Sequence, residues 1–316
     1  MMSILPWTEP EIHLAVIIAA LSWDRWIGEP PMRFHPVVWM GNAIGWMRKI
    51  APLSKPGAFL WGMIMAIVLP FLSSLLGFLT LLPWIGPFIA IWLMTSSFAL
   101  RGLVEAGENV ATALERKDIE FARSKLGWLC SRDPKKLDEN GISAAATESV
   151  AENSSDSLIA PLMWYAVAGV PGALAYRCIN TLDAMIGYRD RYEWLGKSSA
   201  RLDDLVNIVP ARLSAVLLLV VSLVTPKTSI KRGVQILFRD RNLTSSPNAG
   251  WPMSCIAGLV GAELFKPNHY SLGKGLSPCT ASHLRIGCAL ADRAMLLFAC
   301  ILIISLAATW LLPILF

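Results

Sequence analysis

The chain has 316 residues, of which 54% are hydrophobic and only 16% charged, with 13 Trp and a formal net charge of +5. Soluble domains carry roughly 25% charged residues, so this is the composition of a membrane protein. The Lys and Arg are spread over the polar segments, which fits loops facing an anionic leaflet and not a nucleic-acid-binding surface.

No basic region precedes the first apolar run and no small-residue cleavage site follows it, so no cleaved signal peptide is expected. A first membrane helix starting near Pro10 would end at Asp24-Arg25-Trp26, with its tryptophans at the interface. Gly28-Glu29-Pro30-Pro31 and Arg33-Phe34-His35-Pro36 read as a structured loop, and the segment ending in Arg48-Lys49 as a surface helix. Pro56 to Leu100 is 45 residues without a charge, enough for two spans of about 20 residues turning at Pro83, Gly86 and Pro87. Lys49, Lys55 and Arg101 flank it, which puts the turn outside and both flanks in the cytoplasm.

Arg101 to Asn140 reads as cytoplasmic helices broken around Arg132-Asp133-Pro134, since a residue before proline avoids the helical region. Gly141 opens a new helix with Ile142, Ala146 and Val150 on one face and Glu148 and Glu152 nearly opposite. Ser157 to Tyr176 is long enough to span but is interrupted by Gly169-Val-Pro171-Gly172. A full crossing would carry six Lys/Arg, from Arg177 to Arg212, to the outside. A re-entrant hairpin turning at Gly169–Gly172 is therefore expected, irregular backbone being tolerated at membrane depth when buried in protein. Leu213 to Thr225 reads as a second partial insertion. Lys227 to Arg293 has cytoplasmic character with nine Lys/Arg, and within it Met253 to Phe265 reads as a short apolar helix. Ala294 to Phe316 is a closing membrane helix of 23 uncharged residues. The expected fold is thus all-α, a polytopic integral membrane protein with about four to five inserted segments, some re-entrant. It reads as one domain over 1–316, with a cytoplasmic helical segment at 101–156, a functional core at 147–212 and a cytoplasmic loop region at 227–293.

Two oxygen-ligand sets stand out. Glu148, Glu152 and Asp156 are spaced i, i+4, i+8; Asp203-Asp204 with Asn180, Asp183 and Asn207 form the second. Crowded carboxylates repel, and a divalent cation reverses that preference; Mg²⁺ favours carboxylates together with substrate phosphates. The bland alternative is a solvated helix face paired with nearby Arg. The proposed hairpin would bring the two sets together at a metal–phosphate site. Arg132, Arg177, Arg201, Arg212, Arg239 and Arg241 are candidates to clamp phosphate, or are topology charges. His35 is a base or a structural histidine. No P-loop, dinucleotide fingerprint or nucleophile elbow is present. The six cysteines include no Cys-x-x-Cys pair, so free thiols are expected and neither a zinc ribbon nor a redox motif is supported.

Several stretches resemble one family along most of the chain. They are Asp24 with Gly28-Glu29-Pro30, His35-Pro36-Val37 and Gly41; Arg132-Asp133; Glu148-x-x-x-Glu152-Asn153-x-x-Asp156; and Ala160-Pro161. Further on come Tyr176-Arg-x-Ile-Asn180-Thr181-Leu182-Asp183 through Gly187-Tyr188, Ala200-Arg201-Leu202-Asp203-Asp204, Pro210-Ala211-Arg212 and Ser246-Pro247-Asn248-Ala249-Gly250. In order and spacing the chain is similar to the adenosylcobinamide-phosphate synthase family, the CobD/CbiB membrane proteins of cobalamin biosynthesis. It departs at Glu29, where the family pattern has Asp, and at Ser131, where it has Gly.

The resemblance implies an amide-forming ligase of the inner (cytoplasmic) membrane, with its site on the cytoplasmic side. Its substrates would be a corrinoid, adenosylcobyric acid, and aminopropanol or its O-phosphate, with ATP and Mg²⁺. Carboxylate and amine do not condense unaided, and phosphoryl transfer to the carboxylate would give an acyl phosphate, chemistry that rests on positioning and charge neutralisation. On this reading Glu148, Glu152, Asp156, Asp203 and Asp204 hold Mg²⁺–ATP, and Arg132, Arg201 and Arg212 bind phosphates. Asn153, Asn180, Asp183 and Asn248 position the amine or the propionate, and a carboxylate or His35 takes the amine proton. Asp24, Asp133, Tyr188 and Asn207 complete the substrate-binding set. Membrane lipid is a further partner, and self-association or association with other cobalamin-assembly membrane enzymes stays open. The rivals are a Mg²⁺-dependent membrane prenyl- or alcohol-phosphate transferase, whose Asp-x-x-Asp spacings are missing here, and a transporter of cobamide precursors.

Overall fold

The computed structural model describes residues 10–130, 132–188 and 192–315, and Ser131, one of the departures noted above, lies outside them. The chain divides into two compact units, one made of 1–99, 160–207 and 299–316 and the other of 100–159 and 208–298. The proposed functional core at 147–212 is therefore shared between the two.

The first unit contains α1 (Pro10–Trp26), α2 (Pro36–Lys49), α3 (Lys55–Leu76), α4 (Gly86–Thr95), α8 (Ala160–Ile186) and α9 (Glu193–Val206). Ser54 caps α3, its hydroxyl accepting from the Gly57 N–H at 3.3 Å. Along α3 the small Gly62, Ala66 and Ser73 face inward beside Met65 and Leu69, while Leu60, Ile67, Phe71 and Leu75 face outward and are exposed. Small inward residues let backbones approach, and large apolar outward ones suit contact with lipid. A Cβ on Gly62 would lie 1.9 Å from the Leu195 carbonyl oxygen, so α3 and α9 meet backbone to backbone.

The uncharged stretch expected to hold two spans holds one of full length. α3 runs on through a 3₁₀ turn, so that Lys55–Leu81 covers 27 residues, but α4 has only 10, about 15 Å of helix. Pro83 and the turn at Trp84 (φ +65°) use up the residues that would have lengthened α4.

α8 breaks where the glycines and proline cluster. Ala168 (φ −139°, ψ 21°) and Gly169 (φ +63°, ψ −158°) leave the helical region. A Cβ on Gly172 would lie 2.5 Å from the Trp164 carbonyl oxygen. Eight residues of straight helix rise about 12 Å, so the chain doubles back here. The turn expected at Gly169–Gly172 thus begins one residue earlier.

The second unit contains α5 (Arg101–Glu115), α6 (Ile119–Leu126), α7 (Glu139–Ser154), a π turn (Ser155–Ile159), α10 (Ile208–Ser222), α11 (Ile230–Asp240) and α12 (Gly250–Val260). α13 (Ala281–Leu315) starts well before the expected Ala294 and contributes its first part to this unit. Arg285 of α13 fastens α5, donating to Glu108, to Thr112 at 3.1 Å and to Glu115 at 2.6 and 2.7 Å. The expected helix Met253 to Phe265 stops at Val260, because Gly261 takes φ +80°. Ala262–Lys266 is instead a strand, β1, pairing antiparallel with β2 (Tyr270–Leu272) and parallel with β3 (Ser277–Pro278). Among the described residues the regular structure is otherwise helical. Asp240 pins this small sheet, accepting from the Gly273 N–H at 2.6 Å and from Arg239 at 2.7 and 2.8 Å.

Among the described residues, three helical stretches are long and apolar enough to cross a membrane: Lys55–Leu81, Glu139–Ile186 and Ala281–Leu311. A fourth arises if Glu193–Val206 and Ile208–Ser222, bent by 48°, count as one. All six cysteines are free thiols.

Candidate active site

The expected acidic sets fall in different units. In the second unit, Asp138 caps α7, accepting from the Gly141 N–H at 2.8 Å. α7 is rich in Ala and Ser, and it is buried on nearly every side, including Ile142, Ala146, Val150 and Glu148. The solvated acidic face that spacing alone permits is therefore absent at Glu148, which is 2% exposed. Its Oε2 pairs with Arg132, which also donates to the Phe265 carbonyl at 3.2 Å and to the Tyr270 hydroxyl at 3.3 Å. Oε1 of Glu148 is buried and has no hydrogen-bond partner among the described residues. Burial and then the Glu148 charge push the Tyr270 hydroxyl pKa up, which keeps it a donor.

Glu152 is half-buried one turn on, near enough for its charge to bear on Glu148 and Tyr270. The helix then runs on as a π turn containing Asp156, and its i→i+5 bonding ends the i+4 register of the acidic face. Asn153 donates back to the Ser149 carbonyl at 2.9 Å. Asp133 caps the 3₁₀ turn Pro134–Lys136, accepting from Lys135 N–H at 3.2 Å, and is a surface residue.

A second basic focus in the same unit joins Arg212, Asn248, Arg241 and Trp251. Arg212 donates to Asn248 Oδ1 at 2.6 Å and lies 4.8 Å from the Trp251 ring centre; Arg241 lies 5.0 Å from the same ring. Nη1 of Arg241 is buried with no hydrogen-bond partner among the described residues. Two guanidinium groups therefore converge on one indole without a carboxylate on either among the described residues.

In the first unit, Asp203 accepts from Asn207 at 3.1 Å and Asn180 at 3.5 Å. Asn207, 2% exposed, accepts in turn from the Tyr176 hydroxyl at 2.9 Å, and Asn180 from Arg177 at 3.4 Å. The charges of Asp183 and Asp204 both bear on Asp203. Asp204 faces Arg201 at 3.9 Å, a largely exposed partner. Gly187 makes room for Asp183: a Cβ there would lie 2.0 Å from the Asp183 Oδ1. Tyr188 is exposed and Asp24 is buried. An apolar cavity of about 460 Å³ opens beside the network, with Phe71, Phe78, Trp164 and Tyr176 in its wall.

His35 serves as the N-cap of α2. Its Nδ1 accepts from the Val37 N–H at 3.3 Å, which places the ring proton on Nε2, 3.9 Å from Glu29. Burial lowers its pKa; Glu29 works against this and Arg177 adds to it, so the ring is neutral at pH 7.

The five carboxylates expected to hold metal do not form one ready cage. Among the described residues, no three His, Cys, Asp or Glu side chains are grouped to hold an ion. Helical spacing separates Glu148 from Asp156, and Arg132 already occupies Glu148. Asp203 still fits a magnesium site of the usual kind, in which one or two carboxylates act together with substrate phosphates.

The model of the CobD/Cbib protein family matches residues 17–311. The chain belongs to the CobD/CbiB family. It is 40% identical over 273 residues to the cobalamin biosynthesis protein CobD of Dehalococcoides mccartyi, covering 84% of this chain and 88% of that protein. It is 38% identical over 268 residues to a probable cobalamin biosynthesis protein CobD of Methanothermobacter thermautotrophicus, at 84% and 88% coverage. With the cobalamin biosynthesis protein CbiB of Salmonella typhimurium the identity is 35% over 269 residues, at 81% and 84% coverage. No solved structure matches. For this CobD/CbiB member, Tyr270, Arg241 and Trp251 join the residues of interest. Arg241 was already a candidate phosphate clamp by residue type, whereas Tyr270 and Trp251 left little sign in the sequence; Tyr270 reaches Arg132 across 138 positions of chain.

Proposed function

We propose that the chain acts in cobalamin biosynthesis as a membrane ligase. It would join aminopropanol, or its O-phosphate, to a propionate of adenosylcobyric acid with ATP as co-substrate. The observation that carries this reading is Asp203: its neighbours Asn180 and Asn207 are neutral amides, Asp183 and Asp204 add like charge, and no cation among the described residues pairs with it. Such a carboxylate is stabilised by an arriving cation, as a nucleotide–metal complex supplies.

The propionate oxygen attacks the γ-phosphorus of ATP, ADP leaves, and an acyl phosphate forms. The amine nitrogen then attacks the carbonyl carbon, inorganic phosphate leaves with the C–O electron pair, and one amine proton goes to a base. Magnesium, when bound, supplies neutralisation of the phosphate charge. Asp203 and its carboxylate neighbours anchor the nucleotide complex and are the bases at hand. Within the second unit, Arg212 and Arg241, with no carboxylate partner among the described residues, are suited to an anionic group such as a phosphate. Arg132 has a structural role, neutralising Glu148. The broken helix α8 is read as a re-entrant hairpin, with the site on the cytoplasmic side of the inner membrane.

Purified protein given adenosylcobyric acid, the amine and ATP–Mg²⁺ should yield the amide and one ADP per product by mass spectrometry. Product formed without ATP, or none with either amine, overturns the proposal. Topology is tested separately: Tyr188→Cys, at an exposed position, should react with an impermeant maleimide only from the cytoplasmic side.

A further inference from the structure

We propose that the junction of α2, α3 and α9 is a binding site for a phosphate group, supplied by an anionic phospholipid of the surrounding membrane. A cavity of about 760 Å³ lies there, walled by the end of α2, the connection to α3, the start of α3 and the start of α9. It falls within the size range of small-molecule pockets, roughly 300–1,000 Å³. Its charge is one-sided. Arg48, Lys49 and Lys55 line it against a single carboxylate, Glu193. Among the described residues none of the three cations forms an ion pair.

The cations are arranged over rings. The Arg48 guanidinium stands 5.5 Å from the Tyr192 ring centre, and Lys55 stands 6.0 Å from that of Trp194. Lys197, one turn along α9, approaches Trp194 at 5.0 Å. Cation–π contacts of this kind position a positive group without neutralising it, so each cation keeps its charge for an anion. The α3 N-terminus adds the positive end of the helix dipole to the same wall.

Two further observations place a lipid there. Lys55 begins a helical stretch long and apolar enough to cross the membrane, so the cavity lies at headgroup depth. Leu53, in the cavity wall, is fully exposed. An unburied leucine beside three cations suits the boundary where headgroup gives way to acyl chain, as do Tyr192 and Trp194. The proposal does not depend on the ligase reading, since none of these residues belongs to the machinery described above.

The test uses the full chain purified in detergent, with short-chain phosphatidylglycerol, short-chain phosphatidylcholine and glycerol phosphate as probes, bound lipid being counted by native mass spectrometry. Phosphatidylglycerol should bind, and phosphatidylcholine should bind at least tenfold more weakly. The triple variant Arg48→Gln/Lys49→Gln/Lys55→Gln should lose about a hundredfold in phosphatidylglycerol affinity, with an unchanged helical circular-dichroism signal. Leu53→Asn, which keeps every charge, should weaken the lipid and leave glycerol phosphate unaffected. Equal binding of the two lipids, or an unaltered affinity in the triple variant, overturns the site. Glycerol phosphate binding as tightly as the lipid overturns the lipid source and leaves a free-phosphate site. If the triple variant does not fold, Lys49→Glu, an exposed single change, carries the same expectation and the same refutation.

Discussion

Glu148 and Asp203 are both carboxylates packed into largely apolar helical surroundings, and they are handled in opposite ways. Glu148 has a fixed guanidinium beside it, and Arg132 is itself tied to the Phe265 carbonyl and the Tyr270 hydroxyl. Asp203 has only the amide donors of Asn180 and Asn207, and two further carboxylates add to its negative field. The first arrangement supplies a countercharge from within the fold. The second is held in shape but not neutralised, and a half-buried charge of that kind is costly unless something positive arrives. The comparison separates an acid with a countercharge inside the fold from one without, even though both sit in the same kind of sequence.

The sharpest way to break the comparison is to remove each acid in turn. Glu148→Ala leaves Arg132 without its partner, and stability should fall by about 3–5 kcal/mol, read as a loss of unfolding midpoint in detergent. Glu148→Ala combined with Arg132→Met should recover part of that loss; a double variant no better than the single would show that the pair is not what Glu148 is for. Asp203→Asn should behave the other way. It keeps the shape and removes charge from a crowded acidic site, so the unfolding midpoint should hold or rise. Amide synthesis should meanwhile fall by at least about a hundredfold, the scale expected for loss of one preorganised electrostatic group. Turnover near the wild-type rate in Asp203→Asn would make Asp203 a structural acid too.

These contrasts also show what could be read from the chain before folding. The turn in α8 was legible because Gly169, Pro171 and Gly172 cannot sit together in an unbroken helix. The pairing of Asn180 and Asn207 with Asp203 was half legible: the residue types announced an oxygen-rich site, and the i, i+4 spacing of Asp203 and Asn207 placed them on one helix face. The neutralisation of Glu148 was not legible, since spacing along α7 says nothing about Arg132 or about Tyr270 on a strand far along the chain. The strand itself was hidden because Ala262-Glu-Leu-Phe continues the apolar run of α12, and only the positive φ at Gly261 ends the helix. The short α4 has the same lesson. A long uncharged stretch sets an upper limit on spans, and local turns decide how much of it becomes helix.

A smaller effect tests the frame around Asp203. Gly172→Ala adds a Cβ 2.5 Å from the Trp164 carbonyl oxygen and 2.7 Å from the Ala168 Cβ, so the tight return of α8 must open. Overpacking of this sort costs about 1–3 kcal/mol. The unfolding midpoint should drop accordingly. Because α8 also carries Asn180 and Asp183, kcat should fall with it, whereas the surface change Trp46→Phe should alter neither. An unaffected midpoint in Gly172→Ala would mean that the hairpin is loosely packed and does not position the acids.

The smallest expected effect concerns His35, which sequence allows as a base and which the structure uses as a helix cap. His35→Ala removes the acceptor for the Val37 N–H and should cost about 1 kcal/mol in stability with kcat nearly unchanged. The pH dependence separates cap from base. Burial holds the folded-state pKa of His35 below its ordinary value of 6.5, so the unfolded chain takes up its proton first as the pH falls. The stability supplied by the neutral ring is therefore complete above that value and is lost as acid carries the pH down through the folded-state pKa. His35→Asn keeps a capping oxygen but does not titrate. Its unfolding midpoint should match the wild type near pH 8 and exceed it near pH 5.5, while the pH–rate profile of amide synthesis keeps its shape. A lost acidic limb in that profile would instead make His35 the group that accepts the amine proton.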